Sequence, residues 1–224
     1  MRAPDPIPRD PASHSGYLAI APALRAYSLR AMPDPVPGFH EVFVSRRSDR
    51  RLGRGRLKDV LGCLGYATQA LFVREEAGVL RSRRPALASG ALHAVTPILI
   101  TGSRAVRIWQ CRPDSATVVQ LQVLFPTFLR AFRSACAHIV PAAASVGIVV
   151  LVGDQVLLAE NYEHHETLMW RDAGAMLQTL ALAATAYGLG YCPLAPLGTE
   201  VLEGMGSPSR FCALGVALIG VSAK

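Results

Sequence analysis

The chain is short of charge, of aromatic side chains and of long uninterrupted apolar runs. Of its 224 residues, 17% are charged and 7% aromatic, against 51% hydrophobic. Little charge with abundant aliphatic content excludes disorder as the main state, because a chain of this size buries a large core. No apolar run reaches the roughly 20 residues a membrane span needs. Ala173 to Thr199 is uncharged but broken by Gln178, Gly188, Gly190, Pro193 and Pro196, and Ile139 to Val152 is broken by Pro141 and Gly147. Both read as buried elements of a core or of a dimer interface, and no membrane contact is expected. Cysteine is sparse too. Cys63, Cys111, Cys136, Cys192 and Cys212 are odd in number, widely spaced and free of any CxxC pair. That pattern fits reduced core cysteine in a cytosolic protein better than a disulfide frame. The start, Met1 to Arg9, has charges and prolines where an export signal needs an apolar stretch, so a cytoplasmic location is expected.

The net charge of +7 is localised. Between Arg46 and Lys58 stand seven basic side chains and one acidic one. No aromatic platform or nucleic-acid motif accompanies them, so nucleic acid is not the expected partner.

Residues 1–38 are rich in Pro, Ala and Ser and read as an arm packed on a domain of residues 39–224. Leu57, Val60, Leu61, Leu64, Ala67 and Leu71 recur at helical spacing and predict a helix ending near Gly78. Val95–Ile100, Val146–Val152 and Phe211–Gly220 read as strands. Val106–Cys111 and Thr117–Val123 flank the turn Arg112-Pro113-Asp114-Ser115 and predict a hairpin. Phe125–Ile139 and Trp170–Tyr187 predict helices, the second closed by Gly188 and Gly190 and buried all round. Helices and strands mix without regular alternation, which points to an α+β domain.

Three runs carry possible chemistry. Ser45-Arg46-Arg47-Ser48-Asp49-Arg50 is either a solvated basic face or an anion site built from guanidinium and hydroxyl donors. Arg84-Pro85-Ala86-Leu87-Ala88-Ser89-Gly90-Ala91-Leu92-His93 is either an ordinary loop or one whose small residues admit a planar ligand. Asp172 to Ala195 is a core helix, or one that faces a second copy, followed by the turn Pro193-Leu194-Ala195.

Together and in this order the three runs resemble the FMN-dependent nitroreductase superfamily, over about residues 43–222. The Arg84–His93 run is most similar to its azoline-oxidising branch, the thiazole/oxazole-forming dehydrogenases of peptide maturation and the oxidase domains of peptide synthetases. The resemblance implies a mainly antiparallel central sheet flanked by helices, and a homodimer with FMN at the subunit interface. It implies that Arg46, Arg47 and Ser48 hold the FMN phosphate and ribityl chain, and that Arg50 lies near the pyrimidine edge. Ser89 and Gly90 would line the flavin ring. Pro193, Leu194 and Ala195 would bring a backbone N–H, that of Ala195, towards N5, since Pro196 has none.

Where many azoline dehydrogenases carry a Lys-Tyr pair, this chain has Asn161 and Tyr162. Asparagine takes no proton, so Tyr162, or the neighbouring His164 or His165, is the expected proton-handling residue. Glu163-His164-His165-Glu166 lacks a third ligand at a familiar spacing and reads as a polar turn, not a metal site. The expected activity is oxidation of an azoline or related peptide-derived ring, with a carrier or synthetase as a possible partner. The alternatives are NAD(P)H-dependent reduction of nitro, quinone or enone compounds, and a flavin-free scaffold of the same fold. Lys224 is a further candidate phosphate ligand.

Overall fold

The computed structural model describes residues 4–9, 20–28, 37–76 and 79–223. Twelve strands and six α-helices alternate irregularly among them. Seven strands form the path of the main sheet, in the order β11 (Gly190–Leu194), β12 (Phe211–Ser222), β9 (Gly147–Asp154), β6 (Val95–Thr101), β7 (Arg107–Arg112), β8 (Thr117–Leu121) and β2 (Ala23–Ser28). Every neighbouring pair is antiparallel. The short β3 (Leu52–Gly53) pairs with the far end of β12. Two ribbons stand apart from this sheet: β4 (Phe72–Glu76) with β5 (Val79–Arg83), and β1 (Ile7–Pro8) with β10 (Tyr162–Glu163). This is the expected α+β architecture, with the hairpin predicted at residues 112–115 joining β7 to β8.

The central strands are apolar on both sides because helices cover both sides. Along β9, Val149 and Leu151 face one core with α2 (Leu57–Thr68) and α5 (Glu166–Ala186). Ile148, Val150 and Val152 face the other, with α3 (Pro126–Ile139) and α6 (Thr199–Met205). β12 keeps the same division through a bulge. Leu214 has no Cα partner between Ala213 and Gly215, so Ala213 and Val216, three apart, share a face. All five cysteines are free; four are buried and Cys212 is partly so. Among the described residues no helix is long and apolar enough to cross a membrane.

Two sequence readings are corrected. The first helix ends at Thr68, not near Gly78: the chain turns into the hairpin β4–β5, and Leu71, at helical spacing, is exposed. The β-forming Phe72-Val73 pair and the lack of core to cover override the periodicity there. The long helix is not buried all round, since Trp170, Gly174 and Gln178, one turn apart, lie on an exposed stripe. It also begins a turn earlier than read, at Glu166. From the N-terminal arm, Ala23–Ser28 forms the edge strand of the main sheet and Ile7–Pro8 pairs with Tyr162–Glu163. The sequence reading missed α1 (Phe39–Ser45), α4 (Gln155–Asn161) and α6, all of seven residues.

A buried arginine ties α3 to the sheet. Arg133 Nη1 donates to the carbonyls of Ala143 (2.7 Å) and Val146 (2.8 Å), and Nη2 to that of Ile100 (3.2 Å). Replacing Arg133 by methionine keeps the stem but leaves three carbonyls without this donor. The variant should unfold in urea with a stability loss of about 3 kcal/mol.

Candidate functional site

The basic run is drawn out between two strands. After α1 the chain passes β11, where Ser48 bridges Tyr191 in parallel and the Asp49 N–H donates to the Tyr191 carbonyl at 3.1 Å. It then meets the end of β12: the Ala223 N–H donates to the Arg51 carbonyl at 2.8 Å. Asp49 is held by the Ser222 hydroxyl and the Arg51 N–H, which keep its carboxyl below the usual range. Arg47, Ser48 and Arg50 are exposed and Arg46 half-buried. Burial pushes the Cys192 thiol up, and the adjoining Arg50 guanidinium pulls it back. The basic run therefore lies alongside β11, the strand that ends in Pro193 and Leu194. Lys224 lies outside the described residues. Of the surplus cations, Arg56 pairs with Asp59 (Nε to Oδ2, 2.7 Å) at the start of α2.

A second group forms around the Ser89 loop. Asp172, buried on α5, accepts the Ser89 N–H on both oxygens at 3.0 Å and the Ser89 hydroxyl on Oδ1 at 2.9 Å. Burial raises the Asp172 carboxyl and these bonds lower it again, with burial the larger effect. Beyond Ser89 the backbone is left-handed at Gly90 (φ 55), Ala91 (φ 56) and His93 (φ 51), a conformation that non-glycine residues adopt only when their surroundings hold them. Arg81 Nη1 donates to the Gly90 carbonyl. A Cβ at Gly90 would lie 2.5 Å from the Tyr162 hydroxyl, so a side chain here would both strain the backbone and displace the phenol.

Tyr162 reaches that loop from α4. Asp154, at the end of β9, caps this helix by accepting the Leu157 N–H at 3.0 Å, and Arg210 grips the same carboxylate at 2.9 and 2.6 Å. Asn161 is turned inward, its amide donating to the Leu157 carbonyl at 2.9 Å, so it takes no part in the site. His164 is exposed with φ 54, and His165 directly precedes α5. Sequence reasoning missed Asp172 as the anchor of the loop and Arg81 as its second support. The first was legible only as a lone acid in an apolar helix, and the second had no signal.

These two groups, Arg46–Arg50 with Tyr191–Ala195 and Ser89–Gly90 with Tyr162, are not joined by any hydrogen bond or ion pair among the described residues. The first offers cations, a hydroxyl and a backbone N–H. The second offers a turn of small residues beside a phenol.

No protein-family model and no curated protein matches the chain. Solved structures do. A candidate nitroreductase from Ralstonia eutropha JMP134 aligns over 93% of this chain and 97% of its own, at 18% identity and a TM-score of 0.65. Another from Anabaena variabilis aligns over 89% of this chain but 42% of its own, at 13% identity and a TM-score of 0.64. An FMN-dependent nitroreductase from Clostridium difficile R20291 aligns over 83% and 88%, at 13% identity and a TM-score of 0.53. The chain therefore has the nitroreductase-like fold.

His93, next to the loop, gives its stability a pH signature. Its Nε2 lies 2.7 Å from the Ser82 carbonyl, and burial lowers its pKa from 6.5 to about 4. The unfolded imidazole binds a proton below 6.5 and the folded one only below about 4, so this contribution to stability is lost as pH falls through that window. Urea midpoints should decline from pH 6.5 to 4 more steeply in the wild type than in His93→Gln.

Proposed function

We propose that the chain is an FMN-dependent oxidoreductase, acting as a homodimer. The observation that carries this reading is the junction of the basic run with β11, on a fold that a described FMN-dependent nitroreductase shares. The residues there fit the cofactor. Arg47, Ser48 and Arg50 are exposed, with Arg47 near Asp49 and Arg50 against the Cys192 thiol, and among the described residues none of them is in an ion pair, so they can meet an outside phosphate. When bound, FMN supplies a ring nitrogen, N5, that accepts or gives a hydride.

Arg46, Arg47 and Ser48 bind the phosphate and ribityl chain through charge-assisted bonds. Arg50 places a cation where negative charge collects on the pyrimidine edge, and the Ala195 N–H is offered to N5. Ser89 and Gly90 line the ring, held by Asp172 and Arg81. The Tyr162 hydroxyl, beside Gly90, holds and moves the substrate proton. The dimer joins the two groups across its interface. Exposed Phe39, Phe43 and Val44 on α1 and Trp170 on α5 supply apolar surface for it. The Ala86–His93 loop favours an azoline or related peptide-derived ring as substrate, with a carrier or synthetase delivering it. A second reading, reduction of nitro compounds with NAD(P)H as electron donor, is favoured by the description of the solved neighbours as nitroreductases.

The absorption spectrum of the purified protein, before and after adding FMN, tests the cofactor. A yellow protein is expected, with FMN affinity falling about tenfold or more in Arg47→Gln/Arg50→Gln; a colourless protein that takes up no FMN overturns the reading and leaves a flavin-free scaffold. Anaerobic mixing separates the substrates: a thiazoline peptide bleaches the flavin in the first reading and NAD(P)H in the second. Tyr162→Phe should slow azoline oxidation about a hundredfold at unchanged flavin content, as loss of a proton-transfer group does.

A further inference from the structure

We propose that the cleft between the β4–β5 hairpin and the Ala86–Ala91 loop binds the anionic group of a small amphipathic substrate, an inference that rests on the flavin-enzyme reading above. The cleft measures about 340 Å³, within the size range of small-molecule sites. Its charge follows from strand register. Phe72 is paired with Arg83 and Arg74 with Arg81, so all four side chains stand on one face of the ribbon. That face looks onto the loop.

Four arginines, Arg74, Arg81, Arg83 and Arg84, are among the residues that line the cleft, and no acidic residue is; Arg84 Nε donates to the Ser82 hydroxyl at 2.9 Å. Glu76 lies outside the lining and steadies two of them, with Oε2 at 3.1 Å from Arg74 Nη2 and 3.2 Å from Arg81 Nε. Arg83 is exposed and in no ion pair among the described residues. His93, also in the wall, is committed to the Ser82 carbonyl. Paired guanidinium N–H groups take carboxylate or phosphate in a fork. Phe72 and the fully exposed Leu87 add an apolar wall for the body of the ligand.

Position makes this a substrate feature. Arg81 reaches from the cleft to the Gly90 carbonyl, and Ala88 and Ala91 of the lining flank Ser89 and Gly90. An anion held by Arg74 and Arg83 therefore leaves the rest of its molecule at the loop that faces Tyr162. A neutral nitroarene or quinone makes no use of these four charges.

The test compares two ligands of one shape by isothermal titration of the full-length protein as isolated: 2-phenylthiazole-4-carboxylate and its carboxamide. The carboxylate should bind about tenfold tighter, as expected for charge-assisted bonds, with an advantage that shrinks as salt rises. Arg83→Gln and Arg74→Gln should each reduce that advantage, while Arg130→Gln, an exposed change on α3, should keep it. Equal affinity of the two ligands for the wild type overturns the proposal. So does a preference that survives both cleft substitutions, or one that Arg130→Gln also abolishes. Flavin content is read on the same samples. A carboxylate preference in a protein that takes up no FMN sinks the flavin reading and leaves the anion site standing.

Discussion

The basic run takes its place by way of β12. This strand pairs with β9 from Phe211 to Ile219 on one side and with β11 from Val216 to Gly220 on the other, then carries β3 at its end. It is buried from Ala213 to Gly220, so a register slip would turn one core face into the other. The bulge at Leu214–Gly215 is what lets one strand satisfy both layers. Where β3 crosses, Gly220 is required, because a Cβ there would strike the Gly53 carbonyl. The same end of the strand supplies Ser222 to Asp49 and the Ala223 N–H to Arg51, so the basic run is shaped by the last residues of the chain.

The second group depends on a different kind of tie. Asp172 and Ser89 are 83 residues apart, and their three hydrogen bonds fasten a left-handed loop to a helix. A buried carboxylate with this many donors is costly to disrupt, because the charge would lose its compensation. The loop is thus held at Ser89 from beneath, at Gly90 by Arg81, and at His93 by Ser82. Tyr162 is positioned by the Asp154 cap and its Arg210 partner rather than by the loop itself. Loop and phenol are therefore supported by separate ties and meet at Gly90.

Legibility in the sequence followed the period of burial. β9 and the second half of β12 are apolar without interruption and covered on both sides, so they stood out as strands with nearly correct limits. Gly188, left-handed at φ 66, marked the end of α5 as read. The first helix was overextended because Leu71 sits on the helical period while its side chain meets solvent. The ribbon β4–β5 was invisible because it is rich in charge and mostly exposed, and its buried member, Ser82, is polar, so no apolar face imposes a pattern. Arg133 and Asp172 were missed because a charged residue in an apolar stretch does not reveal which carbonyl or N–H it will meet, and Arg81 because nothing sets it apart from the other charges around it.

The excess of positive charge, first met as a single number, divides by environment into separate physical tasks. Arg133 is buried on three carbonyls and acts as a structural rivet. Arg56 and Arg210 are bound to Asp59 and Asp154 and set the start of α2 and the approach to Tyr162. Among the described residues, the basic run and the hairpin each gather exposed cations within a short stretch of chain. Like charges held together raise the electrostatic energy of the folded chain, and a fold retains them where an external anion offsets that repulsion. One such cluster lies beside Tyr191 with Asp49 as its near carboxylate; in the other, beside Gly90, Glu76 offsets Arg74 and Arg81 and leaves Arg83 outside every ion pair among the described residues.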